Sequence, residues 1–136
     1  RNFANLTEYT DEYEPGAIRY DMGERANFAL MPGVVAALQQ LADWGPAEIE
    51  ATLAARNALL SPRLAALGLT PTPDDARGPH FLGAALPESA PGDIVQQLAA
   101  RDVYVSQRAG ALRITPHLWC DDEDSDRLVE ALGALL

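Results

Sequence analysis

The spacing of apolar residues predicts two helices in the first half of the chain. Between residues 34 and 42 they recur at helical spacing and form one apolar stripe. Pro32 fits the first turn of this helix, and Gly45 ends it. A second helix is predicted over residues 46–68. Because Pro62 lies inside its apolar register, we expect a kink there or a restart capped by the preceding serine.

The second half of the chain mixes strand and helix patterns. The composition of residues 69–79 indicates a loop. Residues 80–87 indicate a buried strand, residues 89–102 a short helix, and residues 103–115 a hairpin with a glycine-containing turn. A final helix begins after Asp121 or Asp122, since carboxylates suit the positive end of a helix dipole.

This order of elements predicts an α+β fold, a small, mostly antiparallel sheet with helices packed on one face. Residues 1–31 show no sustained period of apolar residues, and we interpret them as a loop-rich arm with a short strand at residues 17–20. We therefore expect two parts, an arm over residues 1–31 and a domain over residues 32–136.

Composition narrows the classes of function. With 136 residues and a net charge of −10, the chain is one acidic domain that is unsuited to nucleic acid or to an anionic membrane surface. Cys120 is the single cysteine, which favours a cytoplasmic location. All ten basic residues are arginines. Chemistry that needs a lysine Schiff base cannot be completed by this chain alone.

Arg113 is the first candidate functional residue. Leu112 and Ile114 alternate with Arg113 and Thr115, which places the arginine on the face of the strand opposite the core. A guanidinium fixed on a strand can bind a carboxylate through two hydrogen bonds. From pattern alone, a solvated surface arginine is the better explanation, since most arginines are exposed.

A second candidate lies in the arm, where a turn at Gly23 is followed by Arg25 and Asn27. Backbone N–H groups and a cation at such a turn could bind an anion, although Asp21 and Glu24 would repel it. An ordinary surface turn fits these residues as well.

The sequence gives little support for a metal site or for a catalytic nucleophile. His80, His117 and Cys120 lack the spacing of metal ligands, and we expect no metal site. Cys120 has no neighbouring base and is rejected as a nucleophile. The acidic run CDDEDSD lacks the glycine and the distal glutamate of a calcium loop, and it is better explained as a helix start.

Three segments together resemble the C-terminal part of class V aminotransferases: GAIRYDMGERANF, MPGVVAALQQLADWG and LRITPHLWCDDEDSDRLVEAL. This family of pyridoxal-phosphate (PLP) enzymes includes the cysteine desulfurases, kynureninase and related epimerases. The resemblance implies the small C-terminal domain of a fold-type I PLP-dependent transferase. Residues 1–31 would be the end of the large cofactor domain. That large domain would carry the lysine, so this chain alone should be inactive and hold no cofactor.

The resemblance also implies roles for the candidate residues. Arg113 matches the arginine that binds the α-carboxylate of an amino-acid substrate. Gly23, with Arg25 and Asn27, would reach the cofactor phosphate of the neighbouring subunit in a homodimer. Glu24 departs from the desulfurases, which carry a phosphate-binding threonine at that position.

The loop before the arginine strand, SQRAG, also departs from the desulfurases because it lacks their reactive cysteine. A lyase, an aminotransferase or an epimerase remains open. The alternative to the whole reading is a stand-alone acidic α+β module that binds a ligand or a protein and has no enzymatic activity.

Overall fold

The computed structural model describes residues 11–13, 15–20 and 27–136. Four α-helices are present among them, α1 at Met31–Trp44, α2 at Pro46–Ala66, α3 at Ile94–Ala99 and α4 at Asp122–Gly133. The four strands are β1 at Thr70–Pro71, β2 at Leu82–Ala85, β3 at Ser106–Arg108 and β4 at Ala111–Ile114. None of the described helices is both long and apolar enough to span a bilayer.

The strands form one antiparallel sheet in the order β1-β2-β4-β3. Helices α2, α3 and α4 pack on one face of it, which confirms the predicted α+β class. They bury a single apolar cluster against β2 and β4. Its completely buried members are Leu64, Leu82, Ala84, Ile94, Leu98, Leu112 and Leu132.

The chain divides into two units, with the boundary between Gln40 and Leu41 inside α1. Helix α1 begins close to the predicted proline, but its apolar stripe does not form part of a core. No residue of α1 is buried. The large apolar side chains exposed at this helix are Leu30, Met31, Val34, Val35, Leu38, Leu41 and Trp44.

One local prediction was wrong in the first half of the chain, and one of the two alternatives at Pro62 does not occur. The strand predicted at residues 17–20 is a 3-10 helix, Gly16–Tyr20, whose residues are all exposed and which starts at a glycine with φ of 67°. Helix α2 does not restart at Ser61 but runs through Pro62. Because Ala58 and Pro62 are both exposed, water can bind the Ala58 carbonyl that the proline leaves without an N–H partner.

The region predicted as a loop, residues 69–79, contains the short strand β1 and a 3-10 turn, Asp74–Ala76. The N–H of Thr72 donates to the Gly83 carbonyl at 2.8 Å, which extends the pairing of β1 with β2 beyond its two residues. The predicted hairpin is present, although its first strand begins at Ser106 rather than at Val103.

The predicted start of the last helix is confirmed. Asp121 is the N-cap residue of α4, and its side chain accepts the N–H of Asp124 at 3.1 Å. The Asp124 carboxylate accepts the Asp121 N–H in return, also at 3.1 Å. These two hydrogen bonds form a capping box with aspartate in place of the usual glutamate.

Candidate functional site

Arg113 lies in β4, one of the two inner strands of the sheet. Leu112 and Ile114 on either side of it are buried, and Arg113 is exposed, as strand alternation requires. Its partners on the neighbouring strands are Gly83 of β2 and Ser106 of β3. Both paired neighbours are small, so neither of them places a large side chain beside Arg113.

We call the side of the sheet opposite the core the arginine face. Two cations stand on it, Arg108 and Arg113, at diagonal positions of the β3–β4 hairpin, a placement that puts Cβ atoms roughly 7–8 Å apart. No carboxylate belongs to the described part of this face, although the chain carries a net charge of −10. The residues of the arginine face are Thr70, Thr72, Phe81, Gly83, Ala85, Ser106, Arg108, Ala111, Arg113 and Thr115.

Arg113 has no ion-pair partner within the described residues. The carboxylate ion pairs found there join Arg63 to Asp126 at 2.7 Å and Arg77 to Asp74. An exposed guanidinium without a carboxylate keeps all of its N–H groups available for an external anion. The arrangement can therefore bind a carboxylate without breaking an existing pair.

An aromatic ring lies against the arginine. The Cζ atom of Arg113 stands 5.2 Å from the centroid of the Phe81 ring, within the range of a cation–π interaction. Phe81 directly precedes β2, and its own N–H donates to the Gly78 carbonyl at 3.1 Å. The turn that ends at Phe81 thus fixes the backbone from which the ring projects.

That turn is also attached to the core. Asn57 of α2 is completely buried, and its Nδ2 atom donates to the carbonyl of Pro79 at 2.7 Å. Its Oδ1 atom has no hydrogen-bond partner among the described residues. A buried amide that holds a loop carbonyl by a short hydrogen bond restrains the loop, because opening it would leave two buried polar groups unpaired.

Gly83 leaves little room for a side chain. A Cβ atom at this position would lie 2.9 Å from Oγ1 of Thr72 and 3.8 Å from Cε1 of Phe81. The ring of Phe81 therefore reaches along β2 toward the residue that pairs with Arg113.

Of the three candidate residues in the arm, the structure describes one. Gly23 and Arg25 lie outside the described residues. Asn27 is described, and its Oδ1 atom accepts the N–H of Leu30 at 3.0 Å. The Asn27 carbonyl accepts the N–H of Met31, also at 3.0 Å. Asn27 thus helps to start α1, and this contact neither supports nor excludes contact with a phosphate.

The residues after β4 form a small cluster of their own. His117 and Trp119 stack with ring centroids 3.6 Å apart, and the N–H of His117 lies 3.3 Å from the Cys120 sulfur. Within the part of the chain that the structure describes, no group of three His, Cys, Asp or Glu residues is placed to hold a metal ion.

A cleft of about 420 Å³ opens beside this cluster, between β4 and α4. Tyr104 and Trp119 stand at it, and each is 79% exposed. The buried side chains of Ile114 and Leu128 also line it. Ile114 belongs to the core side of β4, whereas Thr115 of the arginine face also lines the cleft, so the cleft opens at the end of β4.

The sequence indicated the face of Arg113 but not its ring partner. Phe81 was assigned to a buried strand because apolar residues follow it. Its contact with Arg113 depends on β2 and β4 being neighbours, and a sequence pattern does not specify which strands pair. The available signal was the alternation in β2, which places Phe81 and Gly83 on the face opposite Leu82 and Ala84.

Comparison with known proteins gives a fold but no sequence family. No protein-family model matches the chain. No curated protein matches it either. A solved structure described as a NIFS-like protein superposes with a TM-score of 0.68 and 22% sequence identity, over 90% of this chain and 37% of that one. The chain therefore shares the fold of a part of that protein.

Proposed function

We propose that this chain is the small C-terminal domain of a PLP-dependent enzyme related to the class V aminotransferases, acting on a small amino acid. The observation that carries the proposal is Arg113, an arginine on an inner strand with no carboxylate partner among the described residues. The fold likeness to a NIFS-like protein agrees with the family resemblance of the sequence. Since the matched region is 37% of that protein, the proposal includes a longer polypeptide.

In this proposal Arg113 binds the α-carboxylate of the substrate. A guanidinium presents two parallel N–H groups to the two carboxylate oxygens, and this geometry fixes the orientation of the bound molecule as well as its position. Orientation of a substrate against the reacting group is a large contribution to catalysis.

The residues of this chain do not by themselves fit PLP. The sequence has no lysine for a Schiff base. The large domain would supply the lysine, and Gly23, Arg25 and Asn27 of the arm remain proposed contacts to the phosphate of a neighbouring subunit. The chain alone is then inactive.

The proposed reaction is not that of a cysteine desulfurase. The β3–β4 connection consists of Ala109 and Gly110 alone, so no extended loop with a reactive cysteine stands before the arginine strand. Cys120 comes after that strand and contacts the N–H of His117. A lyase, an aminotransferase or an epimerase is compatible with these residues.

The proposed partners are the chain's own large domain and a second subunit. The exposed apolar side chains of α1 support the first of these, because a stripe of this size is rarely left exposed to water in a complete protein. A cytoplasmic location, suggested by the single cysteine, belongs to the same proposal.

The test is kinetic and uses the full-length enzyme with a panel of L-amino acids that includes L-cysteine and L-kynurenine. Arg113→Ala should lower kcat/KM for the best substrate about 10- to 100-fold, since a hydrogen bond to a charged group contributes about 1.5–3 kcal/mol. Arg113→Lys keeps the charge without the paired N–H groups and should fall between Arg113→Ala and the wild type. Arg101→Ala, at an exposed arginine whose side chain donates to the Gln97 carbonyl, is the matched control and should change little.

Affinity for PLP provides the second readout of the same variants. Arg113→Ala should leave it nearly unchanged, because the residue is assigned to the substrate. Equal losses of cofactor affinity and of amino-acid use would disprove the assigned role.

The cleft between β4 and α4 is the observation that favours the alternative, a stand-alone module that binds a ligand. Its exposed Tyr104 and Trp119 could cover an apolar molecule. In that case Trp119→Ala would abolish function while Arg113→Ala would leave it intact, the reverse of the pattern expected for the enzyme.

A further inference from the structure

The contact between Phe81 and Arg113 joins two residues that are 32 positions apart in the sequence. The guanidinium carbon stands 5.2 Å from the centre of the ring. Among the described residues the Arg113 guanidinium has no hydrogen-bond or ion-pair partner, so the ring is the interaction that restrains the end of the side chain. A free arginine side chain samples many rotamers, and binding a carboxylate requires one of them.

The turn that carries the Phe81 ring is fixed by contacts with the core. The hydrogen bond from buried Asn57 to the Pro79 carbonyl, at 2.7 Å, ties the turn before β2 to helix α2. The N–H of Phe81 closes that turn on Gly78, and the next side chain, Leu82, is completely buried in the core. The position of the ring is thus set by the core and not by the exposed surface.

We infer that Phe81 is a positioning residue of the carboxylate site. Its ring holds the Arg113 guanidinium in one orientation, so that the paired N–H groups are presented to a carboxylate before it binds. Phe81 does not touch the substrate and acts only through Arg113. The inference rests on the proposed function, and it adds a residue that the resemblance does not assign.

The first experiment uses this 136-residue chain and sodium acetate as the probe. The arginine Nε–Hε signals are followed by NMR during titration with acetate, with sodium chloride at equal ionic strength as the reference. Wild-type Arg113 should bind acetate several-fold more tightly than exposed Arg127. Phe81→Leu should weaken that binding about two- to fivefold, the value of an exposed cation–π contact.

Two variants separate the ring from general packing. Phe81→Tyr keeps the aromatic face and should retain the acetate affinity and the ring-current shift of the Arg113 side-chain protons. Phe28→Leu, at an exposed phenylalanine outside the arginine face, is the matched control and should change neither signal. If wild-type Arg113 shows no ring-current shift, or if Phe81→Leu leaves acetate binding unchanged, Phe81 has no positioning role.

The second experiment uses the full-length enzyme with its best amino acid and the amine that lacks the carboxylate. Phe81→Leu should lower kcat/KM for the amino acid about two- to fivefold and leave the amine unaffected. In the Arg113→Ala background it should have no further effect. Equal losses for both compounds would show that Phe81 is merely structural and overturn the inference.

The Arg113→Ala variant alone separates this failure from that of the proposed function. If that variant uses the amino acid as well as the wild type does, Arg113 does not bind the substrate carboxylate, and the proposed function fails for a reason independent of Phe81.

Discussion

At the scale of single residues, the site depends on which side chains surround Arg113. Its paired residues Gly83 and Ser106 are both small, and the described arginine face contains no carboxylate. A guanidinium without a carboxylate partner among the described residues agrees with the proposal that Arg113 binds an external anion, and an exposed ion pair there would contribute little to folding.

The close approach of Thr72 to Gly83 leads to a prediction. Gly83→Ala should lower the free energy of unfolding by about 1 kcal/mol, because its Cβ atom would lie 2.9 Å from the Thr72 hydroxyl oxygen. Chemical denaturation of the chain measures this. Gly92→Ala, where a Cβ atom would meet nothing within 4 Å, is the control. Adding Thr72→Ala should restore most of the stability, and a double variant as unstable as Gly83→Ala would contradict this steric explanation.

At this scale, the sequence predicted the position of a residue correctly where the pattern of its own strand decides it. Alternation placed Arg113 opposite the core without any knowledge of neighbouring strands. It could not pair Arg113 with Phe81, and it could not identify Asn57, a polar residue on the buried side of α2 whose partner is a backbone carbonyl 22 residues away. Such contacts depend on the tertiary arrangement.

At the scale of elements, the β3–β4 hairpin positions both arginines of the arginine face. Its two turn residues, Ala109 and Gly110, have positive φ of 50° and 79°, as a two-residue hairpin turn of type I′ requires. Glycine suits such a position, whereas alanine is strained there.

Replacing the alanine should therefore stabilise the hairpin. Ala109→Gly should raise the free energy of unfolding by about 1 kcal/mol. The left-handed conformation costs alanine about 1–2 kcal/mol, and the larger conformational entropy of glycine in the unfolded chain offsets part of this gain. Thermal denaturation measures the change. Ala100→Gly, at an exposed residue with φ of −66°, is the control and should lower stability. If both variants shifted stability in the same direction, the strain assigned to Ala109 would be disproved.

The errors of sequence reasoning at this scale have physical causes. Strand β1 contains only Thr70 and Pro71, too short to show alternation, and it forms because β2 is beside it. Of the kink or restart expected at Pro62, the restart does not occur, because the exposed position of this residue makes the missing hydrogen bond tolerable. In the second half, the predicted segments are longer than β1, and their apolar periods made the order of elements predictable.

At the scale of the whole molecule, the described chain has a buried core at α2–α4 and the sheet, and an apolar helix with no buried residue. Leu38, near the middle of α1, is 60% exposed. The spacing of apolar residues predicted the helix but not its environment, because a stripe that packs against the chain's own core and one that packs against another domain have the same period.

This helix leads to a prediction about the isolated chain. We expect it to self-associate at high concentration, and Leu38→Glu should reduce the association by placing a charge on the apolar stripe. Sedimentation velocity over a concentration series measures this. Gln40→Glu adds the same charge at an already polar position and should leave association unchanged. A wild-type chain that stays monomeric throughout the series would argue against an exposed domain interface.

The most direct test of the account is the mass of this polypeptide in extracts of its native source, detected with an antibody raised against this chain. We predict a species more than twice the 14.6 kDa of this chain, since the matched region is 37% of the NIFS-like protein. Its upstream part should contain the lysine that this chain lacks. A single species at 14.6 kDa would contradict the account, because a chain without lysine cannot hold PLP as a Schiff base.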